Sequence, residues 1–445
     1  MASLSGWECC IYWEEEARRN EMKKILIKSG RIIDPVNNLD KVSDLLIEGG
    51  KVARIDSNIS IASDTEVIDA TGQFVVPGLI DMHTHLREPG YEYKETISTG
   101  TMAAAAGGFT TVCCMPNTRP VNDSQAITEF ILHKAATEGF VNVLPIGAIT
   151  KGSKGEEIAE MAELREAGCI ALSDDGRPVM NGAVMRRALE YAKMLHLPVI
   201  SHCEDTHLSE EGVMNEGLIS TEMGLRGIPN VSEDVMVARD IALSELTGGQ
   251  LHIAHVSTRG AVELIRRAKE RGISVTAETC PHYLVLTDEA VTGYNTNTKM
   301  NPPLRALSDV EAVREGLQDG TIDIIATDHA PHAQEEKEKE FDNAPFGITG
   351  LETALSIALQ LVDEGVLTLR DVIMKMSARP AMILGIDKGS LHITSVADIT
   401  IISPHTAWVV DPVHLKSKGK NTPFSGWKLK GKVSATIVGG KVVHP

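Results

Sequence analysis

The chain has 445 residues, of which 42% are hydrophobic, and a formal net charge of −18. That is room for one large domain and a smaller one, since single α/β barrels reach ~250 residues. An acidic surface disfavours nucleic acid as a partner, and no apolar run approaches the ~18 residues that read as a membrane span, so membrane and nucleic-acid functions are set aside.

Residues 1–21 lack the basic start and sustained apolar core of a signal peptide and run into Glu14-Glu15-Glu16. They are expected to be a non-functional N-terminal extension, with Met22 the more ordinary beginning. From residue 25 to about 73 the pattern is β-rich, with strands over 25–33, 45–47 and 51–55 and a Gly49-Gly50 hairpin turn. Val75-Val76-Pro77-Gly78 reads as a turn into the next strand. The C-terminal end repeats the idiom, with strands over 398–402, 433–438 and 441–443 and a turn at Gly439-Gly440. Two β-rich ends around a different middle predict a small supporting β-sandwich built from residues 22–75 and 380–445.

Between them, apolar strand-like runs alternate with helical patterns, the mark of parallel βα units. Eight runs, at 79–83, 110–115, 143–148, 169–172, 199–202, 251–255, 274–277 and 323–327, predict a closed (β/α)8 barrel over residues 76–379. The stretch 260–272 supports this, since Ala261, Leu264, Ile265 and Ala268 form one helical stripe that Gly272 can end. Seven cysteines, odd in number and without a Cys-x-x-Cys pair, fit reduced thiols in a cytoplasmic protein, with Cys113-Cys114 as small buried hydrophobes.

What ends those strands carries the chemistry, because barrel enzymes build their sites at the C-terminal ends of strands. His83 and His85, two apart on a strand, share one face and can grip one metal ion. Arg87 follows them; later strands end in Asn117, Asp174-Asp175, His202, His255 and Asp328. Four imidazoles with carboxylates suit two divalent cations sharing a ligand, most simply zinc, while manganese, cobalt and iron accept similar donors. Such a pair acidifies water and polarises a carbonyl, which points to hydrolysis of an amide or ester, or the reverse condensation.

The run from Val76-Pro77-Gly78 through His83-Thr84-His85-Leu86-Arg87-Glu88-Pro89-Gly90, with Met115-Pro116-Asn117-Thr118, Asn301-Pro302-Pro303-Leu304-Arg305 and Thr327-Asp328-His329-Ala330-Pro331-His332, resembles the long-chain dihydroorotases of the amidohydrolase superfamily. The resemblance runs from about residue 25 to the end. It implies that His83, His85 and Asp328 hold one metal and His202 and His255 the other, with Asp175 as the bridge. Strand four offers Ser173-Asp174-Asp175-Gly176 and no lysine, so the aspartate-bridged branch is the match; on an extended strand only one of the two aspartates faces the metals. It further implies that Arg87, Asn117 and His332 bind the substrate carboxylate, that Asn301 bonds the ring amide, and that Asp328 shuttles the proton. The activity implied is the reversible cyclisation of N-carbamoyl-L-aspartate to L-dihydroorotate in pyrimidine biosynthesis. A homodimer and an association with aspartate transcarbamoylase are the partner expectations. Competing readings are a hydantoinase or allantoinase, whose substrates lack the carboxylate, and an inactive scaffold for aspartate transcarbamoylase. Asp81 reads as a supporting residue deeper on the same face, His282 stays outside the ligand set, and His196, His207 and His252 read as structural or exposed. The charged run within residues 334–341 reads as a solvated loop and, with 345–350 beyond it, as a mobile lid.

Overall fold

Gly49 and Gly50 take φ of 57° and 74°, and Gly439 and Gly440 take 55° and 77°. These left-handed values are what a two-residue type I′ hairpin demands, and glycine adopts them without steric cost. The computed structural model describes residues 24–63 and 65–445, so the expected extension 1–21 lies outside the described residues. In it β1 (Lys24–Asp34), β2 (Leu39–Glu48) and β3 (Lys51–Asp56) form a meander, followed by β4 (Thr65–Asp69) and β5 (Phe74–Pro77).

Residues 75–77 are strand rather than turn: Val75, Val76 and Pro77 pair antiparallel with Ile401, Thr400 and Ile399. Two fully buried β-branched valines outweigh the turn signal, and a proline at the last position of a strand costs little of the ladder. Gly78 then passes the chain into the barrel, where a Cβ would lie 2.1 Å from Thr110 Oγ1.

The barrel strands are β6 (Leu79–Thr84), β7 (Phe109–Cys114), β8 (Asn142–Gly147), β9 (Ala171–Ser173) and β10 (Val199–Ser201). After a small pair, β11 (Met214–Asn215) and β12 (Gly227–Ile228), come β13 (Leu251–Ile253), β14 (Val275–Thr279) and β15 (Ile324–Ile325). Neighbours in the barrel follow chain order, all parallel. The seam between last and first closes by a Thr84–His329 bridge, with His85 N donating to His329 O at 2.9 Å. Asp81 reinforces it as a buried carboxylate that accepts from Thr327 N at 3.1 Å and Thr327 Oγ1 at 2.5 Å. Burial nonetheless pushes its carboxyl up to about 6.

Side chains fill the barrel, among them Ile80, Met82, Cys113, Ile146, Ile200 and Ile324, with Ala381, Ile383 and Leu384 of the helix Arg379–Leu384 packed against them. Each such aliphatic burial is worth ~1.5–3 kcal/mol. The predicted helix near 260–272 spans Arg259–Glu270; Thr258 caps it by accepting from Ala261 N, and Ala261, Val262, Ile265 and Ala268 face inward. β16 (Ile399–Val409), β17 (Lys428–Val438) and β18 (Lys441–His444) complete the sheet begun at the N-terminal side, in the order β18-β17-β16-β5-β1-β2-β3. Its core holds Ile25, Ile27, Leu45, Val52, Val75, Ile399 and Ile437, so residues from both ends share one apolar layer.

Candidate active site

His83 stands near the end of β6 and His85 just beyond it, where the pairing with β7 is irregular, and both imidazoles reach the same two carboxylates. His83 Nε2 lies 3.3 Å from Asp175 Oδ1 and 3.5 Å from Asp328 Oδ1. His85 Nε2 lies 2.9 Å from Asp328 Oδ1 and 3.5 Å from Asp175 Oδ2. From the other side His202 Nδ1 and His255 Nε2 each stand 3.7 Å from Asp175 Oδ1 and 2.8 Å from one another. Three overlapping triads result, His83–His85–Asp175, His83–His255–Asp328 and Asp175–His202–His255, each with its donor atoms within 4.8 Å. Asp175 is common to two of them. Asp174 turns away, accepting from Ile149 N at 2.8 Å and Thr150 N at 3.1 Å and from the Thr150 hydroxyl.

The donor set fits divalent cations. His83 Nε2 is buried and makes no hydrogen bond of good geometry, facing instead the carboxylate oxygens of Asp175 and Asp328 as a ligand nitrogen would face a shared cation. Burial alone would raise the Asp175 and Asp328 carboxyls and lower the His83 imidazole. The charge of His83 instead holds both carboxyls well below the usual range, and Asp328, Asp175 and Glu278 hold His83 well above its ordinary value. His202 follows suit: burial opposes it, but Asp175 and Glu204 raise it to about 10. A cation in place of those protons answers the same negative charge.

Each outer nitrogen of three histidines is held. His83 Nδ1 donates to Glu278 Oε1 at 2.5 Å, His85 Nδ1 to Asn117 Oδ1 at 2.9 Å, and His202 Nε2 to Glu204 Oε2 at 2.9 Å. These bonds fix the tautomer that turns the other nitrogen inward. Glu278 and Glu204 were not singled out in the sequence. The signal for Glu278 was the one charged residue of β14, near its C-terminal end, and for Glu204 its place two residues beyond His202. Glu278 also accepts from His252 Nε2 at 3.1 Å, so His252 is structural, and His282 is buried outside the triads. Glu278→Gln is expected to weaken divalent-metal binding by roughly 10–100-fold, measured by competition with a chromophoric chelator; unchanged affinity would remove it from the site.

His85, Arg87, Asn117, Asp175, His202, Asn301, Asp328 and His332 line one cleft of about 200 Å³, with Phe346 and Gly347 on its wall. Arg87 Nε donates to Pro331 O at 3.2 Å, and its terminal nitrogen lies 3.4 Å from His332 Nε2. Asn117 Nδ2 donates to Asp175 Oδ2 at 3.3 Å, and Asn301 Nδ2 to Glu204 Oε2 at 2.9 Å. Arg87, His255 and Asp328 have φ of 63°, 34° and 45°. Such left-handed backbones cost ~1–3 kcal/mol each and gather where geometry serves function.

The solvated reading of 334–341 holds for Gln334, Glu335, Glu338, Lys339 and Glu340, which are exposed, but not for the whole stretch. Gln334–Lys337 is a short helix, Phe341 is buried, and buried Lys337 donates to Pro345 O at 2.8 Å and Gly347 O at 3.1 Å. Carbonyls within reach make a lysine an anchor despite its charged neighbours. No helix among the described residues is long and apolar enough to cross a membrane.

Residues 72–261 match a family model described as Dihydro-orotase-like. The chain is 59% identical over 422 residues to the dihydroorotase of Syntrophus aciditrophicus, covering 95% of this chain and 99% of that one. It is 60% identical over 420 residues to the dihydroorotase of Geobacter metallireducens, covering 94% and 99%. Among solved structures it resembles an L-hydantoinase (dihydropyrimidinase) from Arthrobacter aurescens, with a TM-score of 0.85 at 26% identity over 94% of this chain and 96% of that one. A D-hydantoinase follows, with a TM-score of 0.84 at 27% identity over 95% of each chain. The backbone is thus shared with hydantoinases, while more than half of the residues along nearly the whole chain are shared with dihydroorotases, and the protein belongs to the dihydroorotase family of metal-dependent cyclic amidohydrolases.

Proposed function

We propose that the protein is a dihydroorotase, interconverting N-carbamoyl-L-aspartate and L-dihydroorotate in de novo pyrimidine biosynthesis. Two divalent cations, zinc most simply, would be held by His83, His85, Asp175, His202, His255 and Asp328. The observation that carries the reading is Arg87 on the wall of the same cleft as Asp328 and Asp175. A guanidinium beside a hydrolytic centre suits a ring that bears a carboxylate, which hydantoin and allantoin lack.

Bound cations supply an acidified water and a Lewis acid for the ring carbonyl. Asp328 takes the proton of the attacking water as the new C–O bond forms and delivers it to the ring nitrogen as the C–N bond breaks. In the other direction it removes a proton from the carbamoyl nitrogen and returns it to the departing oxygen. Arg87 and His332 hold the substrate carboxylate with Asn117, whose amide also tethers His85 to Asp175. Asn301 spends its NH2 on Glu204, which leaves its oxygen for the ring N–H.

An absorbance assay of dihydroorotate opening tests this. Chelator-stripped protein is expected to lose at least ~10³-fold in rate, the several kcal/mol a Lewis acid supplies, and to recover with Zn2+. His202 keeps a proton up to about pH 10 in the metal-free protein, so reloading must release it and weakens as pH falls. Turnover of hydantoin or allantoin with none of dihydroorotate would overturn the assignment.

A further inference from the structure

The loop between β16 and β17 belongs by connectivity to the sheet built from both ends, yet it reaches the rim of the barrel. Asn421, 3% exposed, accepts from His332 N at 2.9 Å through Oδ1. Its Nδ2 donates to Ala330 O at 2.9 Å and Gly347 O at 3.0 Å, and its own carbonyl accepts from Thr349 N at 3.0 Å. One amide thus ties together both sides of the carboxylate end of the cleft. The fit around it is close: a Cβ on Gly347 would sit 2.8 Å from His332 Cδ2, and one on Gly419 would sit 2.5 Å from Pro331 Cβ and 2.9 Å from Asn421 Oδ1. Gly347 has φ +148°, so a side chain there is strained as well as crowded.

We infer that Asn421 is a positioning residue that sets His332 against the Gly347 wall for the substrate carboxylate, so that the sheet built from both ends shapes specificity besides supporting the barrel. This rests on the reading that His332 lies at the carboxylate subsite. The amide pattern is the reason for asparagine. A carboxylate of the same shape keeps the acceptor for His332 N but sets two oxygen lone pairs against the carbonyls of Ala330 and Gly347, which pushes that wall away.

The test uses the full-length, metal-loaded chain carrying Asn421→Asp, with Gly419→Ala as a second variant that crowds the same contact. Both are expected to raise KM for dihydroorotate at least tenfold while kcat falls by no more than about threefold and bound metal is unchanged. In a His332→Ala background, Asn421→Asp is expected to shift KM by less than threefold, because the imidazole that this contact and the Gly347 wall together orient is gone. A wild-type KM in both variants would overturn the inference, as would a KM effect equally large in the His332→Ala background. Failure of wild-type protein to open dihydroorotate would instead overturn the functional reading beneath it.

Discussion

Asp328→Asn is expected to lower kcat by about 10²–10⁴-fold in both directions, the usual worth of a positioned acid–base group. The amide keeps an oxygen where Asp328 Oδ1 stands, 2.9 Å from His85 Nε2, but can no longer take up and return a proton. The fold is expected to persist, since the residue sits at φ 45°, a conformation asparagine tolerates at least as well as aspartate. Steady-state rates of ring opening and closure, with thermal unfolding as a control, decide the matter. A kcat within tenfold of wild type would assign the proton transfers elsewhere.

Arg87→Met is expected to reduce kcat/KM by roughly 10²–10³-fold. Leaving one member of a sequestered ion pair without its partner costs ~3–5 kcal/mol, and each 1.4 kcal/mol is about tenfold. Most of the loss belongs in KM, because the carboxylate is held alike before and during reaction. Arg87→Lys is expected to recover only part, as an ammonium keeps the charge and loses the planar fork. Neither change adds backbone strain: at φ 63° all three residues carry the same Cβ. A KM near wild type in Arg87→Met would place the carboxylate away from Arg87 and reopen the hydantoinase reading.

Residues 79–85 illustrate what local pattern makes legible: an apolar run that forms a strand, with two closely spaced histidines at its C-terminal end that reach one pair of carboxylates. The eight barrel strands and the two Gly-Gly hairpins were legible for the same reason, since local chemistry dictates them. Residues 75–77 misled because proline and glycine mark strand ends as well as turns. At 334–341 Glu335, Glu338, Lys339 and Glu340 are exposed as a charged run predicts, but the burial of Lys337 depends on carbonyls that only the folded chain brings near.

Composition, period and motif thus determined a metal-dependent hydrolase barrel between two β-rich ends, since each of those properties is written in neighbouring residues. Periodicity allowed either Asp174 or Asp175 to face the histidines and the family resemblance favoured Asp175, which is the one the tertiary structure turns inward; the tertiary structure alone decided that Glu278 and Glu204 fix the rings of His83 and His202 and that Asn421 buttresses His332. Apart from the His202–Glu204 bond, those contacts join residues far apart in the chain, up to 195 positions, and depend on its three-dimensional path, which no local pattern encodes.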